Sequence, residues 1–165
     1  MLKDNYVEQF VDVKTPNIFF VRLGFSVFLL SFGIFSIPFN IILALAFITM
    51  GMVFFNLVKD ERKVEYDYIM TNANVEVAVV YNKRKRKELR GFDLDQVSLI
   101  VPGTSVRFDG DKEIKRYNYT SGYGNNDTIF ILVEETGKKF LFELEPNEDV
   151  MAHIKSYTKN KMSEF

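Results

Sequence analysis

Residues 18–37, IFFVRLGFSVFLLSFGIFSI, and residues 39–58, FNIILALAFITMGMVFFNLV, decide the fold of this chain. Each run is twenty residues long. At about 1.5 Å of helical rise per residue, each reaches roughly 30 Å, the thickness of a bilayer's hydrocarbon core. Phe, Leu, Ile and Val dominate both, and neither has a helical face polar enough to meet water, unlike the amphipathic helices of a soluble core. A cleaved signal peptide fits poorly. Seventeen residues, polar and partly acidic, precede the first run, no small-x-small site follows it, and the second run begins at once.

Only Pro38 separates the runs, with Asn40 just beyond. So short a link predicts an antiparallel transmembrane hairpin over 18–58, with both chain ends on one side. The hairpin tip carries no Lys or Arg, whereas Lys3, Lys14 and Arg22 flank the first run and Lys59, Arg62 and Lys63 follow the second. The positive-inside rule then predicts a multi-pass protein of the cell membrane with both termini cytoplasmic. Arg22, about one turn inside the first helix, is expected to snorkel to the headgroups. Gly24 and Ser31 in one helix, and Ala44 and Gly51 in the other, lie seven residues apart and are expected to form the packing face between the helices. Residues 1–17 form an N-terminal cytoplasmic segment. Leu2, Tyr6, Phe10 and Val13 share one helical face opposite Asp4, Glu8 and Asp12, which reads as a short helix on the membrane surface. Docking against the cytoplasmic domain is the equal alternative.

Bulk composition looks ordinary, at 47% hydrophobic and 26% charged residues, but it hides an asymmetry. Between Ile18 and Val58 the single charge is Arg22, whereas from Lys59 onward both signs are dense. The net charge of -1 gives no basic field that would point to nucleic acid. Without cysteine, thiolate metal sites, iron–sulfur clusters and cysteine nucleophiles are excluded. With one histidine, His153, a His-rich metal site or His-based catalytic pair is not expected. No catalytic residue, cofactor or metal site is predicted.

From Val64 the periodicity turns from helical to alternating. Val64, Tyr66, Tyr68 and Met70 are predicted to face a core opposite Glu65 and Asp67, and Thr71-Asn72-Ala73-Asn74 supplies turn chemistry. Further strands are predicted at 75–81, 86–94, 97–101, near Tyr117 and Tyr119, at 128–134 and at 139–145, the last two joined by Glu135-Thr136-Gly137-Lys138. A helix over 146–160 follows, with Pro146 in its first turn, Glu148 and Asp149 at its start and Val150, Met151, Ile154 and Tyr157 as its apolar stripe. The expectation for 59–165 is thus a cytoplasmic α+β domain: seven antiparallel strands, bent into a barrel and capped by one helix.

That order after a hairpin resembles the bacterial pleckstrin-homology-like (PH-like) membrane proteins. The matching pieces are Tyr68-Ile69-Met70-Thr71, the basic stretch Lys83 to Arg90, Phe92-Asp93-Leu94-Asp95-Gln96-Val97 and Phe142-Glu143-Leu144-Glu145-Pro146. Asn5-Tyr6-Val7-Glu8-Gln9-Phe10-Val11 and Lys14-Thr15-Pro16 also resemble the opening of a family of small bacterial two-helix membrane proteins, which has no activity to transfer. A PH-like barrel implies a binding module rather than an enzyme.

Among candidate sites, Lys83-Arg84-Lys85-Arg86-Lys87 stands out. Odd positions from Val75 to Tyr81 face the core, so the strand must end near Asn82 and leave these charges at a turn. Near an anionic leaflet each contributes about 1 kcal/mol; the alternative is a solvated turn that keeps the sheet edge soluble. Tyr119 and Tyr123, beside Gly122-Tyr123-Gly124-Asn125-Asn126, are a candidate partner-binding tip. Asp109-Gly110-Asp111-Lys112-Glu113 lacks the glycine and the closing glutamate of a calcium loop and reads as an acidic turn. His153 reads as packing. The resulting expectation is a membrane-anchored, non-enzymatic module that contacts a protein partner, anionic headgroups, or both. The rival is an accessory subunit of a membrane transport or envelope-assembly complex, acting on another membrane protein through its helices.

Overall fold

The computed structural model describes residues 6–103, 113–124 and 127–158. The chain divides into two compact units, one comprising residues 14–64 and 81–85, the other residues 1–13, 65–80 and 86–165.

The first unit is built on helices α1 (Asn17–Ser36) and α2 (Ile41–Val58), both long and apolar enough to cross a membrane. Asn40 caps α2, its side-chain oxygen accepting from the N–H groups of Ile42 and Leu43 at 3.0 and 3.1 Å. This satisfies donors that an apolar helix start leaves unpaired. The helices meet along Phe19, Ser26, Leu29, Gly33 and Ser36 on α1 and Ala44, Gly51 and Val58 on α2, all buried. A Cβ on Gly33 would stand 2.7 Å from the Ile48 side chain and 2.9 Å from its backbone nitrogen, so glycine sets the closeness of approach. Ala44 and Gly51 lie in this seam, but Gly24 and Ser31 face outward, against expectation. The reason is that the pairs 24/31 and 26/33 share the same spacing of seven, and spacing alone does not fix how the helix is rotated. Ser26 and Ser36 donate to the carbonyls of Leu23 and Phe32 in their own helix, so their hydroxyls enter the seam satisfied.

The second unit holds two sheets. In the first, β1 (Tyr6–Val13), β2 (Val64–Thr71), β3 (Asn74–Tyr81) and β4 (Lys85–Glu88) lie in that order, and β5 (Phe92–Asp93) also pairs with β3. In the second, β6 (Val97–Pro102), β8 (Ile129–Glu135), β9 (Lys138–Leu144) and β7 (Lys115–Asn118) lie side by side. Helix α3 (Glu148–Tyr157) follows. Tyr68, Met70, Val75, Val77, Leu94, Ile100, Ile131, Phe142, Leu144, Val150 and Ile154, each at most 1% exposed, form one core from both sheets and α3.

Several expectations change. Residues 6–13 form a strand, not a surface helix. Their burial alternates, Val11 enters the core while Tyr6 and Phe10 stay exposed, and three β-branched valines favour the extended form. The strand predicted over 86–94 breaks into β4 and β5. At the break, a Cβ on Gly91 would lie 2.2 Å from the Val75 carbonyl oxygen, an approach that excludes any side chain. Strand β7 runs parallel to β9 rather than antiparallel, because the long connection after β6 carries the chain across to the opposite edge of the sheet. Described residues therefore hold nine strand segments, not seven. The final hairpin forms as expected, with Thr136 and Gly137 both left-handed (φ 50° and 77°) in the two-residue turn. Helix α3 starts later than Pro146 because Asn147 caps it, accepting from the Val150 N–H at 2.8 Å; residues 159 and 160 of the predicted helix lie outside the described residues.

The two apolar helices are inserted between β1 and β2, which are neighbours in one sheet. Gln9 of β1 also donates to the Glu145 carbonyl at 2.8 Å and accepts from the Asn147 N–H at 2.7 Å, tying β1 to the corner between β9 and α3. A fragment starting at Val64 loses all of this. We expect it to be less stable, by roughly 3 kcal/mol or more from lost Val11 burial and two hydrogen bonds, than a chain in which a Gly/Ser linker replaces residues 17–62. Urea unfolding of the two measures the difference.

Candidate functional site

The basic stretch begins as the sequence pattern requires. Strand β3 ends at Tyr81, and Asn82 and Lys83 (φ 50° and 56°) reverse the chain. The turn is held within the helical unit. The Asn82 N–H donates to the Lys63 carbonyl at 2.7 Å, and the Lys85 ammonium pairs with Asp60 in the 3-10 turn Lys59–Arg62 that follows α2. The Lys85 hydrogen bond, reinforced by the charges of Lys59 and Arg84, holds the Asp60 carboxyl below its ordinary range. Arg22 does not reach outward alone: its Nη1 donates to both carboxylate oxygens of Glu61, at 2.7 and 2.8 Å. Thr15 donates to the Arg62 carbonyl at 3.1 Å, joining the segment that leads into α1 to the exit of α2. Together with Arg22, this unit thus gathers Lys14, Lys59, Arg62, Lys63, Lys83, Arg84 and Lys85 outside the apolar runs, against only Asp60 and Glu61.

The five-residue stretch does not act as one. Arg86 and Lys87 lie on β4 in the other unit, exposed, and Arg86 is engaged by Asp67. Alternation along β4 turns Arg86 to the face opposite Lys85 and Lys87.

The aromatic tip also divides. Tyr123 is 62% exposed between two left-handed glycines, Gly122 and Gly124. Tyr119 is 5% exposed and belongs to the core, which corrects its assignment to a surface tip. Its ring lies 5.5 Å from Tyr66 and 6.2 Å from Phe142, and its hydroxyl donates to the Arg90 carbonyl at 3.1 Å. Burial pushes that hydroxyl up to about 12. The buried Tyr68 hydroxyl, raised further by desolvation, donates to the Tyr119 carbonyl at 2.5 Å. The signal was present in the two-residue spacing of Tyr117 and Tyr119, the second lying just past the end of β7. His153 is structural as well, its Nε2 lying 2.7 Å from the carbonyl of Asn72, the left-handed residue between β2 and β3. Asp109 to Lys112 lie outside the described residues, and no cluster of three or more potential metal ligands occurs among the described ones.

A family model described as Bacterial PH-like domain (DUF6106) matches residues 3–164. The chain belongs to that family. The match covers both apolar helices as well as both sheets of the PH-like protein. No curated protein and no solved structure matches it.

Sequence reasoning missed one group in the PH-like domain. Asp67, predicted to face solvent, has a side chain only 1% exposed on β2. Arg86 Nη1 stands 2.6 Å from its Oδ2, yet among the described residues neither carboxylate oxygen accepts a well-aligned hydrogen bond. Desolvation raises its pKa, opposed by Arg86 and aided by the charge of Glu8. A raised carboxyl pKa means the folded state holds the proton more tightly than the unfolded chain. The favourable contribution is therefore complete below the ordinary value of 3.8 and is lost as pH rises through the raised one. We expect Asp67→Asn to stabilise the protein at about pH 7, since Arg86 stays hydrated, and the gain to shrink as pH falls toward about 4. Thermal unfolding across that range measures it.

Proposed function

We propose that this PH-like protein is a membrane-tethered, non-enzymatic binding module whose cationic turn meets anionic lipid headgroups. The supporting observation is the attachment of the Asn82–Lys85 turn to the exit of α2, through the Asn82–Lys63 hydrogen bond and the Lys85–Asp60 pair. This brings the turn's cations together with the charges that flank the apolar runs. Membrane crossing is supported by outward side chains of the helices: Phe20, Phe28, Phe35, Ile42 and Leu57 are each at least 60% exposed. A contiguous apolar surface of that kind seeks lipid or another protein. Because β1 and β2 are sheet neighbours, helices that cross must do so as a pair and return the chain to the side it left. The positive flanks make that side the cytoplasm.

Gly24 and Ser31 support a second reading. They face away from α2, and a Cβ on Gly24 would meet nothing within 4 Å, so another membrane protein's helix could pack there.

The full chain, reconstituted in nanodiscs, tests the first reading. Moving from neutral to anionic lipid should slow amide exchange in the Asn82–Lys85 turn. Lys83→Ser/Arg84→Ser should abolish that change, at about 1 kcal/mol per cation removed. Identical exchange in both lipids removes the headgroup contact. Exchanging residues 17–58 for an unrelated hairpin separates the readings, since loss of partner capture in membranes favours the helices.

A further inference from the structure

A cleft of about 510 Å3 opens where the link between β4 and β5 meets β7 and the start of β9. That is the size range of small-molecule sites, which favour the mouths of β-barrels. Among the described residues, Arg90, Lys115, Lys138 and Lys139 line it, against the carboxylate of Glu113. The four cations come from three separate stretches of sequence, so only the fold unites them.

Two of them are pre-positioned by aromatic rings. The Arg90 guanidinium carbon stands 4.1 Å over the Phe140 ring, and the Lys115 ammonium 5.4 Å from the Tyr117 ring centre. Lys115 is also the register partner of Phe140 on the adjacent strand. Ring faces orient these cations without neutralising them. Arg90 is further fixed by an ion pair with Glu135. Lys138 and Lys139 make no ion pair among the described residues. Beyond the Arg90–Glu135 pair the sign reverses: the adjoining cleft is lined by Glu76, Glu88 and Asp93. The positive cleft is therefore a local concentration of charge, not a sample of the general surface.

We propose that this cleft binds a small polyanion bearing phosphate groups. One carboxylate would leave most of the cations unpaired, whereas an oligophosphate or phosphomonoester offers several charged oxygens to one guanidinium and three ammonium groups. The ring faces are already covered by cations, so charge rather than stacking recognises the ligand. A soluble phosphate compound and a lipid phosphate monoester share this chemistry.

The test uses the full chain in neutral-detergent micelles, titrated with sodium tripolyphosphate by calorimetry. Saturable binding should weaken by about tenfold or more in Lys115→Ser/Lys138→Ser and stay within about threefold in Lys115→Arg/Lys138→Arg, which keeps the charges. Lys83→Ser/Arg84→Ser should change it by less than about twofold, because those cations belong to the separate turn. In that last background, phosphatidic acid added to the micelles should compete if the natural source is a headgroup and not if it is soluble. Absence of saturable binding by the unsubstituted protein, or an equal loss from Lys83→Ser/Arg84→Ser, overturns the proposal.

Discussion

The pairing of β1 with β2 is the constraint on which the rest depends. One strand precedes the two apolar helices and the other follows them, yet they are hydrogen-bonded neighbours in a single sheet. Loop closure over the inserted residues costs entropy that grows only slowly with length, and packing between α1 and α2 shortens the effective loop further. In return the domain gains an edge strand, a core valine at position 11 and the double hydrogen bond of Gln9 at the β9–α3 corner. The helices are thus not an appendage to a finished domain. The domain is completed by residues on their far side in sequence.

Charge is arranged by the same economy of solvation. Apolar helix faces leave no place for ions, so the charges of the helical unit fall outside the apolar runs, apart from Arg22, which Glu61 answers with two hydrogen bonds. In the domain, strand alternation distributes the remaining cations. Arg86 is drawn to a buried carboxylate, and Arg90 and Lys115 settle on aromatic rings. Paired cations hold structure together, while Arg84, Lys138 and Lys139 remain exposed.

Tyrosine does the corresponding work inside. Tyr68 and Tyr119 carry polar hydroxyls into a core of aliphatic and aromatic side chains, and each finds a backbone carbonyl there. The carbonyls of Arg90 and Tyr119 lie in irregular segments between strands, where ladder partners are missing and a buried acceptor would otherwise go unsatisfied. Glu145 serves the same purpose for the Ser121 N–H, at 3.0 Å.

Period and composition alone determined the two apolar helices, strands β2, β3, β6, β8 and β9, the final hairpin and the end of β3 before the basic residues. Each of these follows from which side chains tolerate water or a core at fixed local spacing. Local spacing could not determine how α1 is rotated, because residues 24 and 31 repeat at the same interval as 26 and 33. Nor could it reveal that residues 6–13 join a sheet across the inserted helices, that β7 runs parallel to β9, that Asp67 is buried, or that Arg90, Lys115, Lys138 and Lys139 meet. Those outcomes belong to the tertiary structure, since burial and charge convergence are set by contacts between residues far apart in the chain.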